Sequence, residues 1–219
     1  MIQQHILMTV DGIIFTIKDQ SLQVLLIERL LPPFEHMRAL PGGYVLDNET
    51  LEQAVYREVQ EETGVNNAYL EQLYTFSDLD RDPRGRHITC AYMALMRSDD
   101  IDLQAGSDAT NAKLFPVNQL PELAFDHKKI LNYAIQRLKY KLEYTNLVQY
   151  LLPESFTLTE LYQVYDIVFQ QDFDIRNFKK KILKLNIVEP TGEKVVRGVH
   201  RPAMLYKFIT PDTAIVEIL

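Results

Sequence analysis

Residues 43–65, GYVLDNETLEQAVYREVQEETGV, hold a helix whose apolar stripe turns acidic half way along. At about 100° per residue, Leu51, Ala54 and Val55 share one face. Glu52, Gln53, Tyr56, Gln60 and Thr63 fall opposite them and are expected to meet solvent. Glu58, Glu61 and Glu62, spaced i, i+3, i+4, fall with Leu51 and Val55 rather than with the polar set. Three like charges there repel one another, and the negative end of the helix dipole adds to the cost. A hard divalent cation removes the conflict, because Mg²⁺ takes carboxylate oxygens and keeps waters or phosphates in its other positions. Gly64 stands where a left-handed cap ends the helix. Such a helix needs a core under its first half and a cation beside its second.

The flanking sequence supplies the core. HILMTVDGIIFTI and LQVLLIERL, around KDQS, predict a hairpin. YLEQLYTFSDL, RHITCAYMALM and NAKLFPV predict strands, and a helix opened by Asp126 runs to about residue 144. Strands interleaved with two helices give an α+β module. Its polar loop DRDPRGR brings Arg81, Arg84 and Arg86, whose planar forks suit bidentate contact with phosphate or a terminal ribose.

From about Leu147 the pattern changes. Thr157 and Glu160 have capping-box spacing ahead of an apolar-periodic helix. Asp174 caps a second one, with Phe178, Ile182 and Leu185 on one face and Arg176, Asn177, Lys180 and Lys184 on the other. IVEPTGEKVVRGVHRPAMLYKFI closes the chain as two strands around a turn, so the plan is a winged helix-turn-helix. Charge divides with the pattern. Residues 1–127 carry 9 Lys and Arg against 20 Asp and Glu, whereas 128–219 carry 14 against 10. An acidic module is joined to one suited to a polyanion.

No apolar run approaches the roughly 18 residues that span a bilayer, and the amino terminus has no signal-peptide pattern. The single cysteine, Cys90, permits no intrachain disulfide and is expected as a small core residue. A cytoplasmic protein without a membrane partner is expected.

Gly43, five residues, Glu49, seven residues and then Arg57-Glu58-Val59-Gln60-Glu61-Glu62-Thr63-Gly64-Val65 resemble the Nudix box at every defined position, and the resemblance extends over about residues 6–126. It implies hydrolysis of a nucleoside diphosphate linked to another moiety, with Mg²⁺ or Mn²⁺. By position, Glu58 and Glu62 are the implied main metal ligands, Glu61 a further ligand or water-orienting group, and the Gly42 carbonyl another contact. Arg57 is the implied brace of the box through Glu49, and Gly43 opens it toward the ligand. The family's further acid from a later loop has two candidates, Asp108 and Glu122.

TFSDLDRDPRGRHITCAYMAL, LAFDHKKIL, LLPESFTLTELYQVYDIVF, IRNFKKKILKL and HRPAMLYKF extend the resemblance to the Nudix-related transcriptional regulators. The implied fold is a Nudix α/β/α sandwich over 1–144, including helix 126–144, followed by a winged helix-turn-helix domain over 145–219. Implied partners are palindromic operator DNA, an ADP-ribose-like effector and a second copy of the chain, as two-fold symmetry requires. Arg176, Asn177, Lys180 and Lys184 are then the recognition face, with Lys179, Lys181, Arg197 and Arg201 in support. His200 replaces a glycine usual in the family's wing. Many such regulators have a degraded box and this one is complete. It reads as a repressor that senses ADP-ribose, with retention of hydrolysis left open, or else as primarily a Mg²⁺-dependent hydrolase.

Overall fold

The computed structural model describes residues 5–66, 68–101, 111–196 and 202–219. Strands β1 (Leu7–Lys18), β2 (Ser21–Glu28), β3 (Arg38–Ala39) and β4 (Gly42–Tyr44) come first. Helix α1 (Leu51–Thr63), strands β5 (Tyr69–Phe76), β6 (His87–Leu95) and β7 (Lys113–Pro116), and helix α2 (His127–Tyr144) follow. They form one mixed sheet, ordered β3-β2-β1-β6-β5, with β4 paired to β1 and β7 to β2.

The apolar run of β1 makes it the sheet's centre. Val10, Ile13, Ile14 and Phe15 are fully buried, as β-branched and aromatic residues on a two-sided strand should be. Asp19 and Gln20, with φ of 49° and 54°, turn β1 into β2; a tight hairpin needs positive φ at both central positions. β6 lies parallel to β1, from Leu7 opposite His87 to Phe15 opposite Leu95. Cys90 is a buried free thiol within it. β4 pairs antiparallel with β1, setting Gly42 opposite Asp11.

Helix α1 starts in a capping box. Thr50 Oγ1 accepts from the Gln53 amide at 3.3 Å, and Gln53 Oε1 accepts from the Thr50 amide at 2.8 Å. Gly64, at φ 74°, ends it by donating to Gln60 O. The buried side chains are Ala54, Val55, Val59 and Thr63, which corrects the expectation for Thr63. The buried stripe centres between Val55 and Val59 rather than on Leu51, and the Thr63 hydroxyl is satisfied inside by donating to Val59 O at 2.5 Å.

The second group of elements comprises a 3₁₀ turn (Leu147–Leu151), helix α3 (Leu158–Phe169), helix α4 (Ile175–Leu185) and the antiparallel pair β8 (Val188–Val195) and β9 (Ala203–Phe208). Thr157 and Glu160 form the anticipated capping box of α3. Asp174 caps α4 by accepting from the Asn177 amide at 2.7 Å. Phe156, Leu161, Tyr165, Val168, Phe178, Ile182 and Val188 make the core, with the Tyr165 and Phe178 rings 5.0 Å apart. Phe156 and Tyr206 exchange backbone hydrogen bonds, fastening β9 to the segment before α3.

The compact units are 1–18 with 22–136, and 19–21 with 137–219. The last two turns of α2 thus pack with the second unit, where the Tyr165 hydroxyl donates to Leu142 O at 3.1 Å. No described helix is long and apolar enough to cross a membrane.

Candidate functional site

The carboxy-terminal turn of α1 meets the Pro41-Gly42-Gly43 segment. Glu62 Oε2 accepts from the Gly42 amide at 2.8 Å. Glu58 lies against Gly43, where an added Cβ would come 2.2 Å from Glu58 Oε1. Burial, then the charges of Glu58 and Asp11, push the Glu62 carboxyl up to about 8 against the Gly42 bond. Glu58 is also raised, by burial first, although Arg57 opposes the change.

Arg57 organises this turn. Its Nη2 and Nε donate to Glu49 at 2.6 and 2.9 Å, its Nη1 donates to Glu58 Oε1 at 2.8 Å, and its Nη2 reaches Tyr44 O at 3.1 Å. Glu49 also accepts from the Leu46 amide. The bonds from Arg57 first, and from Leu46 next, bring the Glu49 carboxyl down to about 2. Glu61 is different: its side chain is 60% exposed and only touches Arg57, at 3.4 Å.

Asp11, the one acid inside the β1 apolar run, forms the floor beside Glu62. Arg81 Nη2 is 3.5 Å from Asp11 Oδ2, and Arg81 also donates to both Asp126 oxygens, at 2.9 and 3.2 Å. The Arg81 side chain is only 4% exposed. It is a buried strut, already committed to carboxylates, and not the free phosphate grip expected of it. His127 Nδ1 accepts from the Leu40 amide at 2.9 Å, which leaves its proton on Nε2, 3.5 Å from Asp11 Oδ1. Burial lowers the His127 pKa, with Asp11 and Asp126 opposing.

Arg84 and Arg29 stand on the walls. Arg84 bonds Asp82 through its amide and its guanidinium, at 2.7 to 3.3 Å. Burial works to raise Asp82, but these bonds outweigh it and hold the carboxyl below its ordinary value. Tyr44 contacts His87 Nε2 at 3.2 Å, and His87 Nδ1 lies 3.0 Å from Gly85 O, which makes Nε2 the acceptor for the tyrosine hydroxyl. Arg86 is turned away: its Nη1 donates to Ser77 O and Asp78 O, and it does not line the cleft, so the expected grip by Arg86 is not met. Gly42, Gly43, Glu61, Glu62, Asp11 and Arg84 are among the residues bounding a cleft of about 940 Å³. Glu122 is exposed and outside it, and Asp108 lies outside the described residues. Arg29, Tyr44, Phe125 and His127 carry no pattern in the sequence that marks them for the site. Asp11 carried a signal, an acid in a strand that is otherwise apolar.

Among the described residues no three His, Cys, Asp or Glu side chains stand close enough to share a metal ion. Arg57 occupies Glu58, and Gly42 contributes its amide to Glu62. The donor set nevertheless fits a hard divalent cation. Glu58 is lifted by burial and by the charges of Glu61 and Glu49, Glu62 by burial and by those of Glu58 and Asp11, and a bound cation relieves both causes.

In the second unit, Arg176, Asn177, Lys180, Lys181 and Lys184 are exposed on α4, while Phe178 and Ile182 are buried. Lys179 is half-buried and its Nζ donates to Thr159 Oγ1 at 2.7 Å. Arg197, His200 and Arg201 lie outside the described residues.

The chain matches the family models described as NUDIX domain, over residues 7–134, and NrtR DNA-binding winged helix domain, over 148–208. It is 36% identical over 210 residues to the ADPR responsive transcriptional repressor NtrR of Acinetobacter baylyi, covering 94% of this chain and 83% of that protein. It is 43% identical over 127 residues to the ADP-ribose pyrophosphatase of Methanocaldococcus jannaschii, covering 58% of this chain and 72% of that enzyme. The crystal structure of Shewanella oneidensis NrtR complexed with a 27mer DNA resembles it with a TM-score of 0.82 and 35% identity, covering 92% of this chain and 93% of that one.

Proposed function

Because the chain belongs to the Nudix family and carries an NrtR-type winged helix domain, we propose that it is a transcriptional repressor. It binds operator DNA through the winged helix and senses ADP-ribose, or a related nucleoside diphosphate sugar, in the Nudix cleft. The observation that carries this reading is the similarity along 94% of the chain, both halves included, to a repressor named for its response to ADP-ribose. Arg176, Asn177, Lys180 and Lys184 present the recognition face, and Lys179 and Arg201 support it. The protein acts as a cytoplasmic homodimer on a palindromic site. Gel shift against its own upstream DNA tests this: a salt-sensitive complex should form and ADP-ribose should dissolve it. A complex indifferent to ADP-ribose would overturn the sensing role.

A second reading, retained hydrolysis, is favoured by the complete box and by the likeness to an ADP-ribose pyrophosphatase. Glu58 and Glu62, with Glu61 and the Gly42 carbonyl, are the groups that would hold Mg²⁺ or Mn²⁺, and the ion would supply positive charge for bridging phosphates and a lowered pKa for a bound water. Arg57, braced by Glu49, fixes the Glu58 carboxylate, and Gly43 leaves the room it needs. ADP-ribose with Mg²⁺ should then yield AMP and ribose 5-phosphate, and Glu58→Gln should lose most of that rate. Unchanged turnover in the variant would remove the catalytic role.

A further inference from the structure

Helix α2 buries its aliphatic residues and turns tyrosines outward. Ile130, Leu131, Ala134, Leu138 and Leu142 are fully buried. Lys129, Tyr133, Gln136, Tyr140 and Tyr144 are exposed, and at 3.6 residues per turn they fall within roughly 80° of one another. Steps of three and four residues keep such a stripe on one side of a helix, as a seam against a second helix requires. A face that only meets water has no use for three tyrosines, whose rings carry large apolar area and a polar tip suited to an interface.

The apolar surface widens at both ends of the stripe. The Tyr74 ring, 52% exposed, packs against Tyr133 with centroids 5.1 Å apart. At the other end Thr145 bridges to Ile215, which is 87% exposed, and the Val216 amide donates to Tyr144 O at 2.8 Å. Charge is placed against the helix's own dipole. Lys128 and Lys129 are exposed in a first turn that holds no acid, and Glu143 stands in the last turn beside Lys141. Lysines at the positive end and a glutamate at the negative end are unfavourable within one helix and favourable beside an antiparallel one.

We infer that this stripe of α2 is a two-fold interface with a second copy of the chain, the two helices running antiparallel. The inference rests on the homodimer reading above and supplies its surface. An axis beside Gln136 sets Tyr133 opposite the partner's Tyr140 and Lys129 opposite the partner's Tyr144. The first is an aromatic pair and the second a cation on a ring, and two-fold symmetry makes each of them twice. Glu143 then comes near the partner's Lys129. A parallel pairing would set Lys129 against Lys129 and like dipole ends together. The middle of the seam is uncharged, so it suits a second copy better than a phosphate backbone.

Sedimentation velocity of the full chain over a concentration series tests it, thermal unfolding confirming that each variant is folded. Tyr140→Glu puts a carboxylate into the seam at two symmetric places and should weaken the dimer by about 30-fold or more, the loss that marks a central interface aromatic. Gln136→Cys should form a disulfide-linked dimer under mild oxidation, whereas Gln163→Cys, on the exposed side of α3, should not; Cys90 is buried and does not compete. Should Tyr140→Glu not fold, the cross-link decides. A dimer of wild-type strength in folded Tyr140→Glu overturns the inference, and so does the absence of a cross-link through residue 136 in a dimeric protein. The homodimer reading then stands on another face. A wild type that stays monomeric at every concentration defeats both.

Discussion

The Gly42 amide donates to Glu62 Oε2 at 2.8 Å, so the glycine turn and the last turn of α1 are held by one bond between residues twenty positions apart. Neighbouring glycines here do different work. A Cβ on Gly42 would lie 2.1 Å from the backbone oxygen of Val10, while one on Gly43 would lie 2.2 Å from the movable end of Glu58.

Gly42→Ala should therefore cost stability, about 1–3 kcal/mol as overpacking against backbone does. Gly43→Ala should fold nearly normally and bind Mn²⁺ more weakly, because Glu58 yields. Urea denaturation and metal titration of both variants decide the matter, and a stable Gly42→Ala would contradict the geometry.

Glu62 makes stability depend on pH. A carboxyl near 4.5 when unfolded and pushed up to about 8 when folded binds its proton more tightly in the native state. Its contribution is fully present below 4.5 and is lost as pH rises toward 8. His127, lowered from 6.5, acts oppositely but only below that value. In EDTA the melting temperature should thus fall between pH about 7 and about 8.5. Glu62→Gln should flatten that fall, and Mg²⁺ should reverse it. A fall undiminished in the variant would rule out Glu62 as its source.

Arg81 is predicted to be structural. Its side chain is 4% exposed and faces Asp11 and Asp126. Arg81→Ala should destabilise by about 3–5 kcal/mol, the usual cost of orphaning buried carboxylates. Chemical denaturation reads this directly; a loss under about 1 kcal/mol would place Arg81 with surface pairs instead.

Lys180→Ala with Lys184→Ala should reduce the salt slope of operator binding by about 1.8, at roughly 0.9 per phosphate contact. Lys179→Ala should change it less, since its Nζ is engaged by Thr159. Fluorescence anisotropy across a salt series measures both slopes, and an unaltered slope in the double variant would move the DNA face off α4.

Much of this architecture is local enough to read along the chain. The Gly64 stop, the Thr157–Glu160 box and the Asp174 cap each involve residues within one turn, and all are found. Strands β3 and β4 escaped because two or three residues in a Pro-Gly loop carry no periodicity; they exist by pairing with β2 and β1. Thr63 is buried against expectation because a wheel fixes angles within a helix, whereas the sheet decides which angle faces inward. The glutamates announced themselves by spacing. Arg29 and Phe125 lie 96 residues apart in sequence, and nothing local to either signals the ring beneath the guanidinium. Arg81, Arg84 and Arg86 looked equivalent in their loop, and only the carboxylates and carbonyls around them separate strut, wall and bystander.

His127 gives the cleft a reporter of its own. With Nδ1 accepting from Leu40 and the ring kept neutral by burial, one imidazole proton is fixed on Nε2 opposite Asp11. A buried proton of this kind exchanges slowly with water, and its ¹⁵N-coupled resonance stands apart from the backbone amides. A ligand or cation that settles against Asp11 is expected to shift that signal, since Asp11 Oδ1 lies 3.5 Å from Nε2. Occupancy can therefore be followed spectroscopically in the unaltered protein, with every glutamate and arginine of the cleft left in place.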